Sequence, residues 1–205
     1  LVRMEELKAN PARGIVAPKQ GRPLPKNLDV DQVYQLLNIP DESDPLAVRD
    51  RAMMELFYSS GLRLSELVGL DLGDLRFDER QLRVLGKGNK ERIVYFNARA
   101  KIHLQQYLTS RKDRNKALFV SLAKPHKRLE ISGVETRLRK IGRLAKIVRV
   151  HPHKFRRTLA TMAIDKGMPV EQVQRLLGHV KIDTTMHYAM VKQQNVKLAH
   201  RKYIG

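Results

Sequence analysis

Six side chains in this sequence have the types that phosphate chemistry uses: Arg63, Lys87, His153, Arg156, His179 and Tyr188. Arg63 stands among leucines just after Gly61. Burying a guanidinium there without an anionic partner is costly. The partner is either a carboxylate such as Glu66 or a phosphate gripped bidentately. Lys87 sits between two glycines. It reads as an exposed turn lysine or as a mobile cation that donates a proton to a leaving oxygen. His153 and Arg156 are three apart, which puts them on one face at the start of a helix. That N-terminus adds partial positive charge and free N–H groups, a ready anion site. His179 follows Gly178 and is either a packing residue or a phosphate ligand. Tyr188 is either a half-buried amphipathic side chain or a phenol that attacks phosphorus to give a covalent ester. A phenol with a pKa near 10 needs a neighbouring base or a positive field for that task. Jointly the six offer cations, imidazoles and one phenol with no acidic cluster. That is what phosphoryl transfer without a metal requires, the cations stabilising the charge that develops in the transition state. No cofactor is implied, and a zinc reading of His151 and His153 fails for want of nearby thiols or carboxylates.

The rest of the composition agrees with a polyanionic partner. The chain has 205 residues, 40 Lys+Arg against 21 Asp+Glu, and a formal net charge of +19. Residues 1–78 hold 10 Lys+Arg and 13 Asp+Glu, whereas residues 79–205 hold 30 and 8, so the positive charge belongs to the second part. Such asymmetry points to nucleic acid before membrane surface. Aromatic residues are 5% with no Trp, which disfavours a base-stacking platform for single strands and favours contacts to duplex phosphates. The absence of Cys excludes a disulfide framework, a thiol nucleophile and Cys-ligated metals. No apolar run approaches the ~20 residues of a membrane span, and no signal-peptide pattern opens the chain. A soluble, cytoplasmic protein is expected.

The elements that must position these residues are mostly helical. Residues 1–28, with several prolines and glycines, read as a linker. Helical spacing begins at Asp29 with Val33, Leu36 and Leu37. Asp44-Pro45 offers a cap and a first-turn proline for the next helix, and Gly61 can end it in the left-handed conformation. A short helix over 64–70 follows. Leu82–Leu85 and Ile93–Phe96 read as strands joined by a glycine hairpin at 86–91, and Leu118-Phe119-Val120 as a further short strand. Ser132 and Glu135 have the spacing of a capping box. Behind them runs a basic amphipathic helix carrying Arg137, Arg139, Lys140, Arg143 and Lys146. One helix follows Pro152 and stops near Gly167. Another runs from Pro169 to Gly178, and Asp183-Thr184-Thr185 caps a last one. The fold class is mainly α with a small antiparallel β-sheet (α+β).

Four pieces in this order, "GLRLSEL", "GKGNKER", "HPHKFRRT" and "LLGHVKIDTTMHY", resemble the catalytic domain of the tyrosine recombinases, the lambda-integrase family. The resemblance covers essentially the whole chain. The first 80 or so residues look closest to bacterial Xer recombinases, and the remainder is closer to mobile-element integrases. The resemblance implies the tyrosine recombinase catalytic-domain fold over 29–191. It also implies a site-specific recombinase that works through a 3′-phosphotyrosyl intermediate and a Holliday junction, as a tetramer on two double-stranded DNA sites. In that scheme Tyr188 is the nucleophile, Arg63 and Arg156 clamp the phosphate, and Lys87 is the general acid. His153 assists proton transfer and His179 steadies the phosphate. Arg137, Arg139, Lys140, Arg143 and Lys90 are expected to hold the duplex. Residues 1–28 resemble an interdomain linker, here without the N-terminal helical clamp of Xer proteins, as in a shortened form of a longer protein. Residues 192–205 resemble a C-terminal segment that is either exchanged with a neighbouring protomer or packed on its own domain. Where histidine commonly follows the second arginine, this sequence has Arg157. Two other classes remain open at this level: a non-catalytic duplex-binding module, and a DNA-relaxing topoisomerase with the same phosphotyrosine chemistry.

Overall fold

The computed structural model describes residues 27–41, 43–86, 91–179, 183–186, 200–201 and 204. Helix α1 (Val30–Asn38) starts with a capping box: the Asp29 carboxylate accepts from Gln32 N at 2.7 Å, and the Gln32 side chain accepts from Asp29 N at 3.3 Å. Val33, Leu36 and Leu37 make its buried face. Helix α2 (Pro45–Ser60) is capped by Asp44, whose carboxylate accepts from Leu46 N at 3.0 Å, and Pro45 occupies a first-turn position whose missing N–H costs nothing. It ends at Gly61, with φ +64°. Helix α3 (Leu64–Gly69) and a 3-10 turn (Leu72–Asp74) lead into a three-stranded antiparallel sheet, order β1-β2-β3. The strands are β1 (Leu75–Arg76), β2 (Gln81–Leu85) and β3 (Glu91–Tyr95), with Leu75 opposite Leu82 and Leu82 opposite Val94.

Helix α4 (Ala98–Ser110) did not emerge from the sequence reading. Asn97 caps it, accepting from Ala100 N at 2.8 Å, and Ala100, His103, Leu104 and Tyr107 form its buried stripe. The strand expected at Leu118-Phe119-Val120 does not form. The segment is buried, but its pairing is limited to isolated bridges from Ala117 to Asp71 and from Val120 to Arg128. Most of its carbonyls have side-chain donors: Arg111 donates to Ala117 O and Leu118 O, and Arg49 to Val120 O, while Phe119 O accepts from Leu129 N. With most of those groups satisfied by guanidiniums, a full neighbouring strand is not needed.

Helix α5 (Ile131–Leu144) begins two residues earlier than expected, with Glu130 at the cap and no side-chain cap bond. Ser132 therefore lies inside the helix, and the Ser132–Glu135 capping box is not made. Helix α6 (Pro152–Asp165) follows His151, and α7 (Val170–Leu177) ends at Gly178, with φ +63°. Helix α8 (Asp183–Met186) starts at Asp183, so the residues read as its cap are its first turn.

The main core surrounds α2, where Met53, Met54, Leu56 and Phe57 are fully buried and Phe57 stacks on Phe155 at 6.3 Å. A second, smaller cluster joins α6 to α7 through Leu159, Ala160, Ala163, Val173 and Leu177. Helix α6 thus contributes to both cores. The packed part begins at Leu28, which is 2% exposed. The Leu28 carbonyl accepts from Thr158 Oγ1 at 2.7 Å, and Asn27 donates to Thr161 at 3.0 Å. Residues 1–26 of the expected linker, the hairpin tip with Lys87 and Lys90, Tyr188, and most of 192–205 lie outside the described residues. Among the described residues no helix is long and apolar enough to cross a membrane.

Candidate active site

Two helix ends make the floor of the site. Helices α2 and α7 both stop at a left-handed glycine, and their last carbonyls have no partner within their own helix. Carbonyls at a helix C-terminus carry partial negative charge and attract cations. Two arginines satisfy them. Arg156, projecting from α6, donates through Nη1 to Gly61 O and through Nη2 to Leu177 O at 2.5 Å. Arg63 donates through Nη2 to Gly178 O at 2.7 Å. Both corners require glycine for space as well as for φ. A Cβ at position 61 would stand 2.7 Å from Leu177 Cδ2, and one at 178 would stand 2.6 Å from Arg92 Nε.

Arg63 has extended backbone at the N-cap of α3, which turns its side chain back over its own helix start. Glu66, one turn on, accepts from Arg63 Nη1 and from the Arg63 backbone N–H, each at 2.8 Å. The carboxylate alternative for the Arg63 partner is therefore realised. It does not use up the residue, because the Arg63 side chain remains 33% exposed while that of Glu66 is 2% exposed. Arg156 is 4% exposed. The two arginines thus sit at different depths on adjoining carbonyls.

The histidines border this pair. His153 occupies the first turn of α6. Partial desolvation, then Arg157, Arg156 and Arg63, hold its imidazole below the usual range, although the side chain keeps access to solvent. His179 follows the α7 corner and is half-buried. Its pKa is pulled down to about 4 by burial first, then by Arg156, Arg63 and Arg92. It is neutral at pH 7, and its Nδ1 is 2.7 Å from Thr185 Oγ1. Its backbone is tied to α7 through Gln174, whose carbonyl accepts from His179 N at 3.1 Å. The structure therefore gathers Arg63, His153, Arg156 and His179 around one electropositive corner. Lys87 and Tyr188 cannot be placed, being outside the described residues.

One member was missed from sequence. Arg92, on β3, donates to both Glu66 oxygens, at 2.9 and 3.1 Å. Burial lowers its pKa, Glu66 opposes that shift, and Arg63 reinforces it. Strand alternation was the available signal, since Arg92 and Val94 share the inward side of β3, where a charged residue needs a partner. Two guanidiniums, Arg63 and Arg92, here share a single carboxylate, while Arg156 is seated on the carbonyls of Gly61 and Leu177. Among the described residues no group of three His, Asp or Glu side chains is placed to hold a metal ion. The arrangement can bind an oxyanion such as a phosphodiester and neutralise added charge on it.

The basic face expected on α5 is present but divided. Arg139, Lys140 and Arg143 are exposed. Arg137 instead turns to the fully buried Asp50, with Nε 2.5 Å from Oδ2 and its side chain 21% exposed.

Comparisons with known proteins bear on the family and the fold. A model of the phage integrase family matches residues 26–195. The tyrosine recombinase XerC of Shewanella oneidensis is 46% identical over 200 residues, covering 96% of this chain and 64% of the relative. The crystal structure of XerA recombinase superposes with a TM-score of 0.74 at 27% identity, covering 93% of this chain and 67% of the other. The fold also matches the XerH site-specific recombinase bound to a palindromic difH substrate in a post-cleavage complex, with a TM-score of 0.72 at 22% identity, covering 86% of this chain and 52% of that one. The chain spans 64 to 66% of the length of the first curated relatives it matches.

Proposed function

The chain belongs to the phage integrase family, and from that premise we propose that it is a site-specific DNA recombinase that cuts and rejoins duplex strands through a tyrosyl phosphodiester. The observation that carries the reading is the seating of Arg63 and Arg156 on the carbonyls of Gly61, Leu177 and Gly178, with His153 and His179 alongside. Two fixed guanidiniums can take the non-bridging oxygens of one phosphate, and the rigid corner lowers the reorganisation needed when charge develops there.

In this reading the Tyr188 oxygen attacks phosphorus, and the bond to the 5′-oxygen breaks. The phenol proton passes towards His153, which partial burial first and its cationic neighbours second keep neutral, so that it can accept it. Lys87 gives a proton to the departing 5′-oxygen. In the tautomer whose Nδ1 accepts from the Thr185 hydroxyl, neutral His179 carries its proton on Nε2 and can donate to a phosphate oxygen. The 3′-phosphotyrosyl ester conserves the bond energy. Attack by a 5′-hydroxyl from a second strand reverses each step, without metal or ATP. Two such rounds pass through a Holliday junction.

The assembly belongs to the same proposal: four protomers on two DNA sites, either alike or paired with a second recombinase, in the cytoplasm on the nucleoid. In the assembly, residues 192–205 either dock on the neighbouring protomer, where such head-to-tail exchange closes as a ring, or pack on their own domain. The biological task is chromosome-dimer resolution or movement of a mobile element. Exposed Arg139, Lys140 and Arg143 hold the phosphate backbone of the duplex, together with Lys90.

The test is a nicked duplex whose cleaved end diffuses away and traps the intermediate. Wild-type protein should give an adduct that survives denaturant, and Tyr188→Phe should give none. Salt-sensitive binding without an adduct in wild type would leave a binding module instead. Efficient relaxation of a supercoiled plasmid lacking the site would favour a topoisomerase.

A further inference from the structure

Arg92 lies outside the six side chains of the proposed chemistry, yet it completes their support. It is held in a closed circuit. Its guanidinium grips both oxygens of Glu66. Glu66 holds Arg63 at Nη1 and at its backbone N–H. Arg63 reaches Gly178 O, and Gly178 packs so closely on Arg92 that a Cβ there would meet Nε at 2.6 Å. Nη2 of Arg92 also approaches Leu177 O at 3.4 Å, the carbonyl that Arg156 uses. One strand residue therefore touches α3 and the α7 corner, and through them both arginines of the phosphate site.

The charge arrangement gives this contact a consequence. Arg63 and Glu66 alone form a neutral pair, and an incoming phosphate would have to compete with Glu66 for the guanidinium. Arg92 shares the same carboxylate, so two positive charges divide one negative charge. Arg92 is the deeper of the two, its side chain 17% exposed against 33% for Arg63. The surplus charge therefore appears on the open side, at Arg63.

We infer that Arg92 is a positioning residue for the Arg63 site, which divides the charge of Glu66 and pins the Leu177–Gly178 corner so that Arg63 meets a phosphate as a fixed net cation. This rests on the recombinase reading above. It makes a claim that a merely structural arginine would not: the effect must depend on the charge of the scissile phosphate.

The experiment measures single-turnover adduct formation by the full chain on two nicked duplexes, both carrying a site selected by the wild-type protein from a random-sequence pool. One has an ordinary scissile phosphodiester and the other an uncharged methylphosphonate. Arg92→Met should slow adduct formation on the order of 10²-fold on the phosphodiester, the scale of a misplaced reacting group. On the methylphosphonate the loss should shrink to less than about 10-fold, because an uncharged centre draws less on the cationic field. Arg92→Lys, which keeps the charge without the fork, should recover part of the phosphodiester rate. Equal losses on both substrates, no loss, or a Lys variant as slow as Met would overturn the inference. If Arg92→Met does not fold, Arg92→Lys carries the test through the same substrate ratio, which should stay near that of wild type. An adduct in wild type with an unchanged Arg92→Met removes this inference alone. No adduct in wild type removes the recombinase reading, and this inference with it.

Discussion

Two buried carboxylates in this molecule are each clasped by two arginines, and the two clusters have opposite purposes. Asp50 is fully buried and meets Arg49 at 2.8 Å and Arg137 at 2.5 Å, with side-chain exposures of 3% and 21%. Arg49 also closes the Val120 carbonyl, so the cluster ties α2 to α5 and to the 117–120 segment. Glu66 is as deeply set, but its arginines are 33% and 17% exposed, and their remaining donors go to the ends of helices rather than into a loop. The same three charges make a lock in one place and an open socket in the other. The difference lies in the depth of the guanidiniums, the more buried being 3% exposed at Asp50 and 17% at Glu66, and the more open 21% and 33%.

The comparison can be broken by removing one member on each side. The largest effect expected is that of Asp50→Ala, which leaves Arg49 and Arg137 without their carboxylate. Breaking a buried pair in this way costs about 3–5 kcal/mol. Urea unfolding should show that loss, while adduct formation per folded molecule stays at the wild-type rate. Arg63→Ala should do the reverse. Adduct formation should fall by about 10²–10³-fold, as for loss of one donor to a developing oxyanion, with a far smaller change in the urea midpoint because Arg92 still satisfies Glu66. If Arg63→Ala unfolds the protein as Asp50→Ala does, the two clusters are equivalent and the contrast fails.

Acid sharpens the contrast next. The folded pKa of His179 is about 4, below its ordinary value of 6.5, so the unfolded chain binds the proton more readily. The neutral ring contributes its full stability above about pH 6.5, and that contribution is lost as pH falls towards 4. His151 and His153 are lowered in the same sense. Urea midpoints measured from pH 7 to pH 4.5 should decline, and His179→Gln should flatten the decline. A slope unchanged by that substitution would assign the acid sensitivity elsewhere. The smallest effect concerns α5. Arg139→Ala, on the exposed face, should reduce the salt dependence of duplex binding by about one unit of log–log slope, whereas Arg137→Ala should lower the unfolding midpoint more than it alters that slope.

What the sequence revealed and what it hid divide along range. The caps at Asp29 and Asp44 and the stops at Gly61 and Gly178 are local devices, and each stands where the residue types put it. Helix α4 is equally local, its stripe of Ala100, His103, Leu104 and Tyr107 having helical spacing. Leu118-Phe119-Val120 is a different case. A short apolar run shows burial, not which groups will pair with its backbone, and here arginines donate to most of its carbonyls. The same limit applies at the site. Arg63, His153, Arg156 and His179 stood out through their local company. The Glu66–Arg92 bond spans 26 residues and the Arg137–Asp50 bond 87, and no periodicity reports a partner so far along the chain.

The stitch between Leu28 and Thr158 reaches further than its one hydrogen bond suggests. Thr158 lies two residues beyond Arg156, and Asn27 grips Thr161 one turn later. The incoming chain is thereby moored to the same stretch of α6 that holds an arginine against two helix ends. A mechanical load arriving from upstream of Leu28 would be shared with the stretch of α6 that carries Arg156.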